Sequence, residues 1–321
     1  MIHNSIRIVF FGTPQFSGIV LKKLITAGMA PVAVVTALDK PAGRGKKLAS
    51  PPVKEISDQL RIPVLQPQKL TDEQFLQQLC DLKPDVFVIA SYGKMLPHAL
   101  LEIPPHGTIN VHPSLLPAYR GPSPIQTAIL NGDKETGVTL MLTDAEMDHG
   151  PILARQELGI SKFTYSQLHD ELAKLGGEML IETLPKWVAG EITPREQDHE
   201  KATFTRLLTR ENGHIDWSKS AVEIDRMVRA LNPWPGTWSF LQYAEVRLPQ
   251  YQKRVKILEG YPTTEEGTLG LAGTLFKTKN GHLAAVTGNG IFIIVKLQME
   301  GKKPMEGKAL FNAESYLPFL E

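Results

Sequence analysis

Residues 6–12, IRIVFFG, form a near-continuous apolar run that ends in glycine. A short run of this kind, bounded by turn residues, predicts a strand buried on both faces. Thr13 and Pro14 then open a stretch in which Phe16, Val20, Leu21, Leu24 and Ile25 recur at helical spacing. The strand pattern returns in PVAVVT, VFVIAS, TINVH and VTLML, and PVKEISDQL, DEQFLQQLC and PIQTAILNG read as helices between strands. Strands alternating with helices predict an α/β fold with a mainly parallel sheet covered on both faces. A long helical stretch, TYSQLHDELAKLGGEMLIETLPKWVAG, closes this first domain near Gly190.

The pattern then changes. Residues 191–205 are polar and aperiodic, which is a linker composition. SAVEIDRMVRAL reads as a helix with Ser218 or Ser220 as its cap. Beyond NPWPGTW come short strands with glycine turns: RVKILEG, LAGTLFKT, GHLAAVTGNG and IFIIVKLQ. They predict a small antiparallel barrel or sheet of about 115 residues, an ordinary size for one domain. The expected organisation is therefore a domain over 1–190, a linker over 191–205 and a second domain over 206–321. NPWPGTW is read as packing aromatics rather than a base-stacking platform, and no internal repeat is found.

Composition narrows the function classes. The chain has 321 residues, 42% apolar and 21% charged, with a formal net charge of +1, so it can bury a sizeable core and has no overall polyanion-binding balance. Its one cysteine, Cys80, cannot form an internal disulfide or a cysteine-clustered zinc site, and no motif surrounds it, so it is expected to be a small buried hydrophobe. The N-terminal apolar part is short and strand-like with no cleavage-site pattern, and no run approaches the ~18 apolar residues of a membrane span. A cytoplasmic protein is expected, with no metal.

Candidate chemistry concentrates in NVHPSLLP and in Asp148 of MDHGPI. Asn110 and His112 are two residues apart at the end of TINVH, so both point to one face of a strand. Asp148 follows a helical and a further strand-like segment, a layout that lets strand ends converge on one cleft. An amide and an imidazole can steady an oxyanion, and a carboxylate coupled to the imidazole can manage the proton of an attacking amine. That set suits acyl transfer. The first strand ends in FGTP rather than G-x-G-x-x-G, which argues against NAD and leaves Gly12 the role of a tight strand-to-helix turn. The segment KPAGRGKKLASPPVK, residues 40–54, carries five basic residues and no acidic one, and could contact several phosphates.

The run NVHPSLLPAYRGPSPIQTAILNGDKETGVTLMLTDAEMDHGPIL resembles the formyltransferase domain of enzymes that use 10-formyltetrahydrofolate. The N-x-H pair, SLLP, the YRG turn and the later aspartate occur in the same order. FFGTPQF, PAGRGKKL with SPPVK, and ENGHIDWSKSAVEIDRMVRALNPWPGTW resemble, within that family, the enzymes that act on charged initiator tRNA, and the similarity runs over nearly the whole chain. His149 departs from the pattern, standing where the family usually has threonine, as do Pro113 and Ser123.

The resemblance implies a Rossmann-like domain without nicotinamide, followed by an OB-like barrel that adds tRNA phosphate contacts. It implies formyl transfer to the α-amine of methionine on initiator tRNA, with Asn110, His112 and Asp148 as the catalytic residues. The folate would lie along Ser114, Leu115, Leu116 and Pro117, with contacts from Gly93, Lys94 and Leu96 and from the loop at 143–147. Arg44, Lys46 and Lys47 would grip the acceptor stem, and a monomer is expected. Two other readings remain open: a sugar-nucleotide N-formyltransferase, against which the PAGRGKKL loop speaks, and a non-catalytic RNA-binding protein, against which the intact Asn110, His112 and Asp148 speak.

Overall fold

The computed structural model describes residues 6–42, 47–242, 253–263, 270–313 and 319–320. The chain divides into two compact units. The first comprises Met1–Pro124, Lys134–Ile160 and Leu168–Arg206, and the second Ile125–Asp133, Ser161–Gln167 and Leu207–Glu321.

The first unit is built on a seven-stranded sheet. In chain order its strands are β1 (Ile8–Gly12), β2 (Ala33–Val35), β5 (Val64–Leu65), β6 (Val86–Ala90), β7 (Thr108–His112), β8 (Glu135–Leu142) and β9 (Ile152–Gly159). Their spatial order is β5-β2-β1-β6-β7-β8-β9. The pairs from β5 through β7 are parallel, and β8 and β9 return antiparallel. The mainly parallel sheet is as expected from the alternating pattern, whereas the sense of β8 is not local information. The 40–54 segment contributes a two-stranded antiparallel hairpin, β3 (Lys40–Ala42) with β4 (Lys47–Ala49).

β1 is wholly buried, which is why its sequence is apolar at every position rather than alternating. Val9 and Phe11 join Val35 and Phe87 on one face, packed against Phe75 and Leu79 of α3 (Glu73–Asp81) and Leu100 of α4 (His98–Leu101). The strand then turns sharply into α1 (Gln15–Thr26). A β-carbon on Gly12 would sit 2.5 Å from Ser17 Cβ, and Ser17 Oγ donates to the Ala90 carbonyl at the end of β6. Gly12 is therefore needed for close approach of helix and sheet, not for a pyrophosphate. Cys80 corrects an expectation: it is exposed. Phe75 and Leu79 face the core of α3, and the next residue after Leu79 is rotated about 100° away from that face.

In the second unit, α7 (Ala221–Leu231) lies on an antiparallel sheet of order β12-β13-β14-β11-β10-β16. These strands are β10 (Thr237–Gln242), β11 (Lys253–Thr263), β12 (Leu275–Lys277), β13 (Leu283–Val286), β14 (Ile291–Met299) and β16 (Phe319–Leu320), with β15 (Met305–Glu306) paired to β14. The sheet curls into a nearly closed barrel through the bridge between Thr274 and Phe319 and the bond from Leu320 N to the Gly273 carbonyl. The core holds Trp217, Ile224, Val228, Ile257, Phe292 and Leu297. Trp234 of NPWPGTW is 53% exposed, while Trp238 lies beneath the Arg254 guanidinium, 3.8 Å from ring centre to cation.

Of the two candidate caps, Ser220 starts α7. Its hydroxyl accepts from Glu223 N at 3.2 Å, and the Glu223 carboxylate accepts from Ser220 N at 2.9 Å. The Ser220 hydroxyl and backbone bonds hold the Glu223 carboxyl below its usual value. Ser220→Ala should lower the stability of the second unit by about 1 kcal/mol, read as a lower urea midpoint for the transition that exposes Trp217.

Candidate active site

The C-terminal end of β7 delivers Asn110 and His112 to one face, as their spacing predicts. Asp148 meets them from the β8–β9 connection, where its backbone is in the left-handed region at φ 49°. Aspartate tolerates that region better than most residues, but it is still an uncommon conformation. Asn110 Nδ2 donates to Asp148 Oδ1 at 3.2 Å. His112 Nδ1 lies 3.5 Å from the same oxygen. Gly121 N, in the YRG turn, donates to Asp148 Oδ2 at 2.8 Å. That turn needs glycine: Gly121 has φ 108°, and a β-carbon there would be 2.9 Å from Thr205 Oγ1.

His112 is 4% exposed, and its Nε2 is 3.0 Å from the Tyr119 carbonyl. A carbonyl only accepts, so Nε2 carries a proton and Nδ1 is the nitrogen turned to Asp148. The pair thus has one nitrogen available for a mobile proton next to a carboxylate. His149, the departure from the family pattern, makes no hydrogen bond to that carboxylate. Its Nδ1 lies 2.7 Å from Asp144 Oδ2, and its ring stacks on His199 at 4.1 Å between centres. The backbone amide that supports Asp148 comes from Gly121.

The SLLP segment is a braced turn. Ser114 Oγ donates to the Ala118 carbonyl at 2.6 Å, and Thr139 Oγ1 bridges the Ser114 carbonyl and Leu116 N. Arg155 Nη1 donates to the Leu116 carbonyl. Ser114 and Leu116 are fully buried, whereas Leu115 and Pro117 are half-buried. Gly93 and Lys94 are exposed after β6, and Leu96 is buried against the α3 face. A cavity of about 410 Å³ lies along Gln68–Thr71 and Lys94–Pro97. Of the basic residues, Arg44 and Lys46 lie outside the described residues, and Lys47 pairs its backbone with Ala42 in the hairpin. At the hairpin's root Asp39 accepts from Lys54 Nζ at 2.8 Å and from Gln66 Nε2 at 2.9 Å. Among the described residues no group of carboxylates, histidines and cysteine could hold a metal ion.

The sequence reading missed the residues behind Asp148. Gln197, 5% exposed, donates from Nε2 to the carbonyls of Asp148 and Gly150. Arg120, 4% exposed, donates to Gln197 Oε1 and to His199 Nδ1. Thr203 and Thr205 pair with Arg120 through their backbones. Arg120 was visible in the YRG run, but Gln197 sits in the aperiodic stretch 191–205, where no periodicity marks a buried polar side chain. Residues 191–205 thus pack into the first unit.

Residues 6–184 match the formyl transferase family model, and residues 207–315 match that of the formyl transferase C-terminal domain. The chain belongs to the formyltransferase family, in the branch whose relatives are methionyl-tRNA formyltransferases. The methionyl-tRNA formyltransferase of Roseiflexus castenholzii is 45% identical over 94% of both chains, and that of Marinobacter nauticus 40% identical over 95% of this chain and 96% of its own. Among solved structures, HypX from Aquifex aeolicus in complex with tetrahydrofolic acid superposes with a TM-score of 0.64 at 16% identity. That match covers 99% of this chain and 51% of HypX, so the chain spans about half of that protein. The N-formyltransferase of Helicobacter canadensis superposes with a TM-score of 0.63 at 17% identity, covering 90% of this chain and 98% of its own. At these identities the structures show a shared fold.

The bonds from Lys54 and then Gln66 hold the Asp39 carboxyl below its ordinary value of 3.8. A lowered carboxyl stays paired above its ordinary value and loses its partners only as pH falls through the lower folded value. A carbon-detected NMR titration should place the Asp39 midpoint below 3.8, and Lys54→Met should move it upward.

Proposed function

We propose that Asn110, His112 and Asp148 are the reaction centre of a methionyl-tRNA formyltransferase. The chain transfers the formyl group of 10-formyltetrahydrofolate to the α-amino group of methionine on initiator tRNA, giving formylmethionyl-tRNA for translation initiation. The observation that carries this reading is the convergence of Asn110, His112 and Gly121 on the Asp148 carboxylate. Relatives named for that activity, alike over nearly the whole chain, support it.

The surroundings fit the folate. A β-carbon on Gly93 would meet nothing within 4 Å, Lys94 is exposed, and the cavity beside Lys94–Pro97 is open to a flat ring system. Leu115 and Pro117 offer apolar surface, while Ser114 and Leu116 hold the turn that presents them. When bound, the folate supplies an activated formyl carbon whose oxygen gains negative charge as the amine adds.

The protein's residues answer that charge and the amine's proton. Only one of the two Asn110 Nδ2 hydrogens is used by Asp148, so the other is free to donate to the oxyanion. Both nitrogens of His112 are already placed, so its contribution runs through its positive charge when protonated. Asp148 takes the proton from the amine, directly or through one water, and His112 beside it shares that proton. The proton is returned to the departing nitrogen, so the protein ends as it began. Holding both substrates in one cleft offsets the entropy of bringing them together.

Arg44, Lys46 and Lys47 of the basic 40–54 segment grip the acceptor stem, and the C-terminal barrel adds phosphate contacts that position the tRNA without reading its sequence. In this reading the enzyme acts as a monomer. The enzyme works in the cytoplasm, where charged tRNA is used.

Asp148→Asn should lower turnover by ~10²–10⁴-fold while tRNA binding, measured by filter retention, stays unchanged. Turnover near that of the unaltered protein would remove Asp148 from the mechanism. Arg44→Ala should raise the KM for tRNA far more than that for 10-formyltetrahydrofolate, and tRNA binding should weaken steeply with salt. Equal effects on both KM values would mean that the hairpin is not a tRNA clamp.

A further inference from the structure

Asp148 needs more than its two donors and the neighbouring imidazole. Its left-handed backbone is held from behind by one amide side chain. Gln197 Nε2 donates to the Asp148 carbonyl at 3.0 Å and to the Gly150 carbonyl at 2.7 Å, so its two hydrogens bracket His149. Gln197 Oε1 accepts from Arg120 Nε at 3.2 Å and Nη2 at 2.8 Å. A guanidinium only donates, which fixes the orientation of the amide: oxygen toward Arg120, nitrogen toward the turn. Every hydrogen-bonding position of this buried amide facing the turn is therefore committed.

Arg120 reaches Asp148 a second way. The residue that follows it, Gly121, donates to the carboxylate itself. The backbone of Arg120 is set by the Thr203 carbonyl, which accepts from its nitrogen, and by Thr205, whose nitrogen donates to its carbonyl. Arg120 Nη2 also donates to His199 Nδ1 at 2.8 Å, and His199 stacks on His149. Backbone and carboxylate of Asp148 are thus tied to one short stretch, 197–205, through one arginine.

We propose that Gln197, anchored by Arg120, is a positioning residue that holds the Asp148 carboxylate at the reacting amine. It touches no substrate. It acts by setting the conformation of the Asp148–Gly150 turn, and misplacing a reacting group by about 1 Å costs ~10²-fold in rate. The proposal rests on Asp148 being the proton acceptor.

Two substitutions test it in the full-length protein with methionyl initiator tRNA and 10-formyltetrahydrofolate. Gln197→Met keeps the volume and removes all four bonds. Gln197→Glu keeps a partner for Arg120 and replaces the two donors to the turn with an acceptor, so it reads the role even where the methionine variant does not fold. For Gln197→Glu, kcat should fall about 10–100-fold, with both KM values within about twofold. Introduced into Asp148→Asn, either substitution should cost little more, because residues acting through one another are not additive. A fall in kcat of the same size in the Asp148→Asn background, KM values rising with kcat unchanged, or full activity in Gln197→Glu would each overturn the proposal. If Asp148→Asn itself turns over normally, the reading of Asp148 fails first, whatever Gln197 does.

Discussion

The carboxylate of Asp148 gathers partners from separate stretches of chain, Asn110 and His112 from the end of β7 and Gly121 from the YRG turn. Asp148 lies 27 residues beyond Gly121 and 38 beyond Asn110, and the sheet brings them together. β7 is central enough to be paired on both sides, with β6 parallel and β8 antiparallel. Its register places Asn110 beside Ile89 on one side and Met141 on the other. His112 lies opposite Thr139, whose hydroxyl braces the SLLP turn. One strand pair therefore sets both the imidazole and the loop proposed to meet the folate. Contacts from two directions fix the position of that carboxylate.

The parts that local pattern could reveal are those whose periodicity reports their own burial. β1, β6 and β7 are apolar because both faces are covered, and α1, α3 and α7 carry their core residues at helical spacing. β9 escaped because ILARQELG is half-exposed and charged, so it reads as neither strand nor helix. The antiparallel sense of β8 escaped because direction depends on a partner strand, not on the residues of β8. The side chains of the proposed reaction centre were legible because two of them are two residues apart on one strand. Gln197 was not, because a buried amide satisfied by a distant arginine leaves no mark in its neighbourhood.

Cys80 and Trp234 make the complementary point. Both were assigned by residue type, the thiol to the interior and the aromatic to packing, and both are exposed. For Cys80 the helix phase set by Phe75 and Leu79 decides, and residue preference does not compete with it. The basic hairpin shows the opposite balance. The 40–54 sequence is rich in lysine and arginine, yet just before it stands a carboxylate, Asp39, bound to Lys54 and Gln66.

The stretch 191–206 has a consequence for how such a protein can be recombined in evolution. The family model of the catalytic domain ends at residue 184, and composition alone places a seam near 190. A gene fusion made at either point would separate Asp148 from Gln197, Thr203 and Thr205, although Asn110, His112 and Asp148 all stayed in the fragment. The portable module is longer than the fold it is named for. A crossover after Arg206, beyond the polar residues that look most like a joint, keeps Asp148 with Gln197, Thr203 and Thr205.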